Sequence, residues 1–184
     1  MMKFLQREVA SGHKIARACI AVVTALLVAS PSIAKERTRY FFYARVTNSV
    51  GSGSPQPGTI VPMTIVVDRS FPASTRANHV TTYSGGSGYD LPSPILQAWI
   101  NGKDEHGIFD SITITRDVNG VSKIEITSAS PQSGPGFDVT FQTTQNGVVK
   151  NGKIPPHIFP GNFASALFTA TLDPADQFSG AITQ

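Results

Sequence analysis

From Lys35 onward the apolar residues recur at every second position in short runs, and no window carries a convincing apolar stripe of period 3.6. Alternation places successive side chains on opposite faces of an extended strand, so the pattern predicts an all-β chain. Tyr40, Phe42, Ala44 and Val46 share one face of the first run, with Phe41, Tyr43 and Arg45 on the other. Aromatic residues on both faces predict a strand buried on one side and lightly covered on the other. In "IVPMTIVVD" the residues Val61, Met63, Ile65 and Val67 fall together, and Pro62 suggests a strand start or an edge.

Further runs follow as "ILQAWING", "IFDSITITRDV", "VSKIEITS", "GFDVTFQTT", "FASALFTATL" and "QFSGAIT", about eight strands in all. Turn-punctuated strands of this kind predict an antiparallel β-sandwich or jelly-roll-like domain. The stretch from Gly51 to Gly58 reads as a loop, and Phe71 to Pro94 is the longest stretch without clear periodicity. Between Asn162 and Phe168 two readings compete. Asn162 can cap a short helix, but Ala164, Ala166, Phe168 and Ala170 on one face favour a strand.

The hairpin at Asn119-Gly120 has a register that can be counted. A two-residue loop opposes Val118 to Val121 and, counted straight back, sets Ile114 against Glu125, which puts apolar side chains on opposite faces. A three-residue loop, Val118 to Gly120, instead pairs Ile114 with Ile124 and Ile112 with Ile126. We therefore expect the three-residue loop with a bulge.

Before Lys35 the pattern changes. Lys3, Arg7, Lys14 and Arg17 against Glu8 make a positive segment, and Cys19 to Ala29 form an uncharged, mostly apolar run too short to span a bilayer. Pro31 and the small residues around Ser32-Ile33-Ala34 complete a secretory signal peptide, residues 1–34, cleaved after Ala34. Arg17-Ala18 before Cys19 argues against lipidation. The expected destination is secreted or periplasmic, with no stable membrane anchor, and residues 35–184 form a single β domain.

That reading changes the composition. The leader holds four of the 15 basic residues and one of the 12 acids, so the net charge of +3 belongs to it and the remainder is neutral. The sequence after it shows no basic run to neutralise a phosphate backbone, and we expect no nucleic-acid partner. The sole cysteine, Cys19, leaves with the leader, so no disulfide is available and the core must stabilise the fold.

The order of leader, aromatic strand "YFFYARVTNSV", strand "VPMTIVVD", Gly/Ser-rich excursion and closing "FSGAIT" resembles the exported β-domains of bacterial PEP-CTERM-sorted proteins. The resemblance implies an extracytoplasmic protein linked to the cell surface or exopolysaccharide, with no family-wide catalytic residues. The chain departs from the pattern in that no sorting tail follows "FSGAIT" before Gln184.

Candidate chemistry is sparse. His79, His106 and His157 lie in three predicted loops without a short ligand spacing, which favours solvated histidines over zinc ligands. Asn101, Asp104, Glu105 and Asp110 supply oxygen ligands in one turn region, and calcium is the metal they would suit, though the ladder of an established calcium loop is absent. Asp173 and Asp176 read as turn residues. "SGGSG", Ser84 to Gly88, lacks the lysine of a phosphate loop, and no G-x-S-x-G occurs. Tyr83 and Tyr89 flank this loop and Trp99 follows, so their rings are the candidate ligand-binding residues. For Trp99, between Ala98 and Ile100 in an apolar run, the favoured reading is the main core aromatic of the sandwich.

Together these features predict a secreted, non-enzymatic β-sandwich protein associated with a surface, a matrix or a glycan, without a required cofactor. Its expected partner is an extracellular polysaccharide or a surface protein. Two alternatives stand: a carbohydrate-active or metal-assisted hydrolase assembled from loop acids and histidines, and a self-associating subunit joined through an exposed edge strand.

Overall fold

The structure is a computed structural model, and it describes residues 36–86, 96–104, 109–130, 135–145, 147–173 and 175–183. The leader, residues 1–34, lies outside the described residues. The strands are β1 (Arg37–Val50), β2 (Ile60–Asp68), β3 (Thr75–Ala77), β4 (Val80–Gly86), β5 (Leu96–Ile100) and β6 (Lys103–Asp104). They continue with β7 (Phe109–Val118), β8 (Val121–Ala129), β9 (Gly136–Thr143), β10 (Ser165–Asp173) and β11 (Asp176–Ile182). The all-β expectation holds.

The eleven strands form one hydrogen-bonded sheet in the order β3-β4-β7-β8-β9-β10-β11-β1-β2-β5-β6, each pair antiparallel. The count of about eight strands is thus corrected, and the ladder joins the strands into a single sheet instead of two. Alternation reveals which face of a strand is buried, not what covers it. Here the sheet covers itself by curling. Phe42 on β1 and Phe141 on β9 are three places apart in the sheet, about 14 Å if it were flat, yet their ring centroids lie 5.2 Å apart. Farther round, Leu96 N–H of β5 donates to Asp110 Oδ2 of β7 at 3.4 Å, seven places away in the sheet. The product is a half-barrel.

The concave face holds the core. Tyr40, Phe42, Ala44 and Val46 are buried as the alternation predicts, as are Val61, Met63, Ile65 and Val67. Ile112, Ile114, Ile124, Ile126, Val139 and Phe141 continue the layer. Two corrections arise in the connections. The aperiodic stretch from Phe71 contains β3 and β4, whose buried residues are Thr81 and Tyr83. The hairpin loop is the two-residue form, with Val118 opposite Val121 and positive φ at Asn119 (54°) and Gly120 (75°). The pairings Ile112↔Ile126 and Ile114↔Ile124 nevertheless occur. A bulge between Thr115 and Val118 absorbs the extra residue, with Asp117 at φ 46° and its N–H donating to Ser122 Oγ at 3.0 Å. The region after Asn162 is strand, as preferred: a 3-10 turn at Pro160–Asn162 leads into β10, which buries Ala166, Phe168 and Ala170.

Between β9 and β10 the chain forms a strap over one end of the half-barrel. Ile154 and Ile158 of this strap join the core. Three side chains from separate strands or turns grip its carbonyls. The Tyr40 hydroxyl donates to Pro155 O, the Tyr83 hydroxyl to Gly152 O at 2.6 Å, and Arg69 Nε to Ile154 O at 3.1 Å. Each bond lets a polar atom enter an apolar interior without losing its partner.

Burial pushes the Tyr40 phenol well above its ordinary value of 10.0, against a smaller opposing pull from the Arg69 charge. The unfolded chain releases this proton near its ordinary pKa while the folded chain retains it. The associated stability is therefore complete below pH 10.0 and declines above it, by about 1.4 kcal/mol per pH unit, until the folded phenol itself ionises. Urea denaturation between about pH 9 and 11 measures this slope. Tyr40→Phe is expected to flatten it, and an unchanged slope would assign the effect to other groups.

Candidate binding face

The convex face of β1, β2 and β5 carries the residues that the alternation leaves outside. On β1 these are Arg37, Arg39, Phe41, Tyr43 and Arg45, of which Phe41 is 64% and Tyr43 52% exposed. Strand pairing sets Phe41 opposite Thr64 and Thr64 opposite Trp99, making a row that crosses three strands. Two inter-strand spacings separate Phe41 from Trp99, about 10 Å along the row. Tyr43 and Pro62 form the next outward row, and Arg39 lies with its guanidinium 5.8 Å from the Phe41 ring centroid.

Trp99 is therefore not the main core aromatic. Its neighbours Ala98 and Ile100 are fully buried, while Trp99 and Gln97 point to the convex side and are half-buried. Aromatic faces beside guanidinium groups form a platform that is apolar in its middle and cationic at its margin. Among the described convex-face residues of β1, β2 and β5 the one acid is Asp68, which stands opposite Arg37 at the far end of β2 and is buried.

The other candidate rings and ligands separate. Tyr83 is 4% exposed, and its ring belongs to the core beneath the strap, which corrects its place in a stacking surface. Tyr89 lies outside the described residues, as do Glu105 and His106. Asn101 sits in the exposed turn after β5 at φ 52°, and Asp104 closes β6. Asp110 is buried on the concave side, where it accepts from Ser128 Oγ at 2.8 Å. The structure does not unite Asn101 and Asp110 in one exposed loop.

His79 Nδ1 donates to Arg116 O at 2.9 Å, and the His157 ring lies 6.0 Å from that of Phe159. Asp176 Oδ1 accepts from Gly53 N at 2.9 Å, tying the β10–β11 turn to the Gly51–Gly58 loop. Among the described residues, no three His, Cys, Asp or Glu side chains gather as a metal site would require.

No known protein family, characterised protein or solved structure matches the chain. The convex face must be read from its own chemistry. Sequence reasoning had separated Phe41, Tyr43 and Arg45 onto one side of β1. It missed that Trp99 joins them, because an unbroken apolar trio at 98–100 conceals the alternation.

Proposed function

We propose that this is an exported, non-enzymatic surface or matrix protein that binds an extracellular polysaccharide through the convex face of β1, β2 and β5. The Phe41–Thr64–Trp99 row carries the proposal. Sugar rings expose C–H faces that pack on aromatic rings, and a sheet holds such rings level and fixed without a further ordering cost. Arg37, Arg39 and Arg45 favour a polymer bearing carboxylate or sulfate groups. The secretory leader and the resemblance to PEP-CTERM-sorted domains support an extracytoplasmic, cell-surface setting.

The test is co-sedimentation of the purified protein with insoluble neutral and uronic-acid polysaccharides, with and without calcium. Phe41→Ala and Trp99→Ala are compared after circular dichroism shows them folded. Each is expected to weaken binding by about tenfold, corresponding to ~1.4 kcal/mol for one stacked ring. Phe41 is exposed enough that its loss leaves the core intact. Retention of all binding by both variants, or no binding to any polysaccharide, would overturn the proposal.

A further inference from the structure

Five of the basic residues that are scattered along the sequence meet at the strap. On one flank a cavity of about 270 Å³ is lined by Arg76 of β3, Thr81 of β4, Arg116 of β7 and Asn151, Gly152 and Lys153 of the strap. On the other flank a second cavity of about 270 Å³ includes Arg69, Lys150 and the same Lys153. The acids beside this cluster are few. Glu36 is paired with Arg69 at 2.7 Å, and Asp117 follows Arg116 on an exposed bulge.

Within the first cavity's lining, Arg116 Nε is buried and has no hydrogen-bond partner among the described residues. A buried guanidinium N–H without an acceptor is costly, and such groups are rare in folded proteins. The backbone around it is held in place: Arg116 N–H donates to His79 O at 2.8 Å, and Arg116 O accepts from His79 Nδ1. Opposite, Lys153 N–H donates to Asn151 Oδ1 at 3.1 Å, fixing the turn that presents the exposed lysine. Gly152 fits against β4 because it lacks a side chain, since a Cβ there would lie 2.1 Å from Thr81 Oγ1.

We infer that the cavity bounded by Arg76, Arg116 and Lys153 is a binding site for an oxyanion group: a carboxylate, sulfate or phosphate. An Arg fork pairs with two oxygens of such a group, and the lysine adds a point charge. The incoming oxygen gives Arg116 Nε its missing acceptor. The site stands independently of the convex-face proposal, from which it differs in strands and residues.

Calorimetric titration of the purified protein at low ionic strength tests it, with inorganic sulfate, inorganic phosphate and glucuronate as separate probes. Saturable binding of at least one probe is expected, weakened tenfold or more by Arg116→Gln and by Lys153→Gln. Binding of sulfate or phosphate identifies a free anion or an ester group as the source; binding of glucuronate alone identifies an acidic sugar. Lys153 is exposed, so its variant keeps the test valid where Arg116→Gln fails to fold. Absence of saturable binding for all three probes, or binding that Lys153→Gln leaves unchanged, would overturn the inference.

Discussion

Phe141→Ala is expected to lower the unfolding free energy by about 3–5 kcal/mol, the range for removing a fully buried aromatic ring. Phe141 is 0% exposed and stands where three parts of the molecule meet. Its ring lies 5.2 Å from Phe42 on β1 and 5.3 Å from Phe163 at the end of the strap, while its backbone belongs to β9. The substitution removes buried apolar area and leaves a cavity beneath a curved sheet whose ladder resists collapse. For a domain of this size the loss corresponds to a fall in Tm of about 6–20 °C. Thermal unfolding with Phe141→Leu alongside checks it: leucine should retain much of the stability because it fills most of the space. A loss below about 1 kcal/mol would mean that the curled sheet closes over the gap.

Gly180→Ala is the second large effect, expected to cost about 3 kcal/mol by steric overlap. Gly180 lies in β11 between β1 and β10, opposite Val46 and Phe168. The register of β1 shifts between Val46 and Asn48, directly beside the residue that faces this glycine. An added Cβ would sit 2.0 Å from Arg45 O and 2.9 Å from Phe168 Cε1. A ring can rotate away, whereas a ladder carbonyl cannot move without loosening its neighbours. Combining Gly180→Ala with Phe168→Leu is therefore expected to give no recovery in urea midpoint. Recovery would identify the ring as the obstacle.

These residues also show what the sequence disclosed. Alternation in β1 and β2 was unambiguous because bulky apolar residues stood at every inward position, from Tyr40 to Val46 and from Val61 to Val67. It failed in β4, where the buried positions are Thr81 and Tyr83 within a run of hydroxyl-bearing residues. Parity fixed the pairing of Ile112 with Ile126, but it did not locate the compensating residue. Asp117 and Ser122 supply that bulge, and neither announces it in sequence.

The candidate site was legible to a lesser degree. The outward set on β1 was visible, but the partnership of Phe41 with Trp99 depends on β2 lying between β1 and β5. The cations of the strap were hidden by separation, since Arg69, Arg76, Arg116, Lys150 and Lys153 approach only when the sheet curls. A charge count over the chain averages such a cluster away.

The two margins of the sheet have a further consequence. β3 and β6 are three and two residues long, and side chains take backbone positions beyond them. Ser74 Oγ accepts from Ser84 N at 2.8 Å and donates to Ser84 O at 3.2 Å, so one hydroxyl serves both groups that an added strand would engage. Across the gap, Asp110 receives the Leu96 N–H. A ladder terminated by its own hydroxyl and carboxylate offers little template for another polypeptide. What such margins leave for contact is side-chain surface, which can vary without altering how the sheet is hydrogen-bonded.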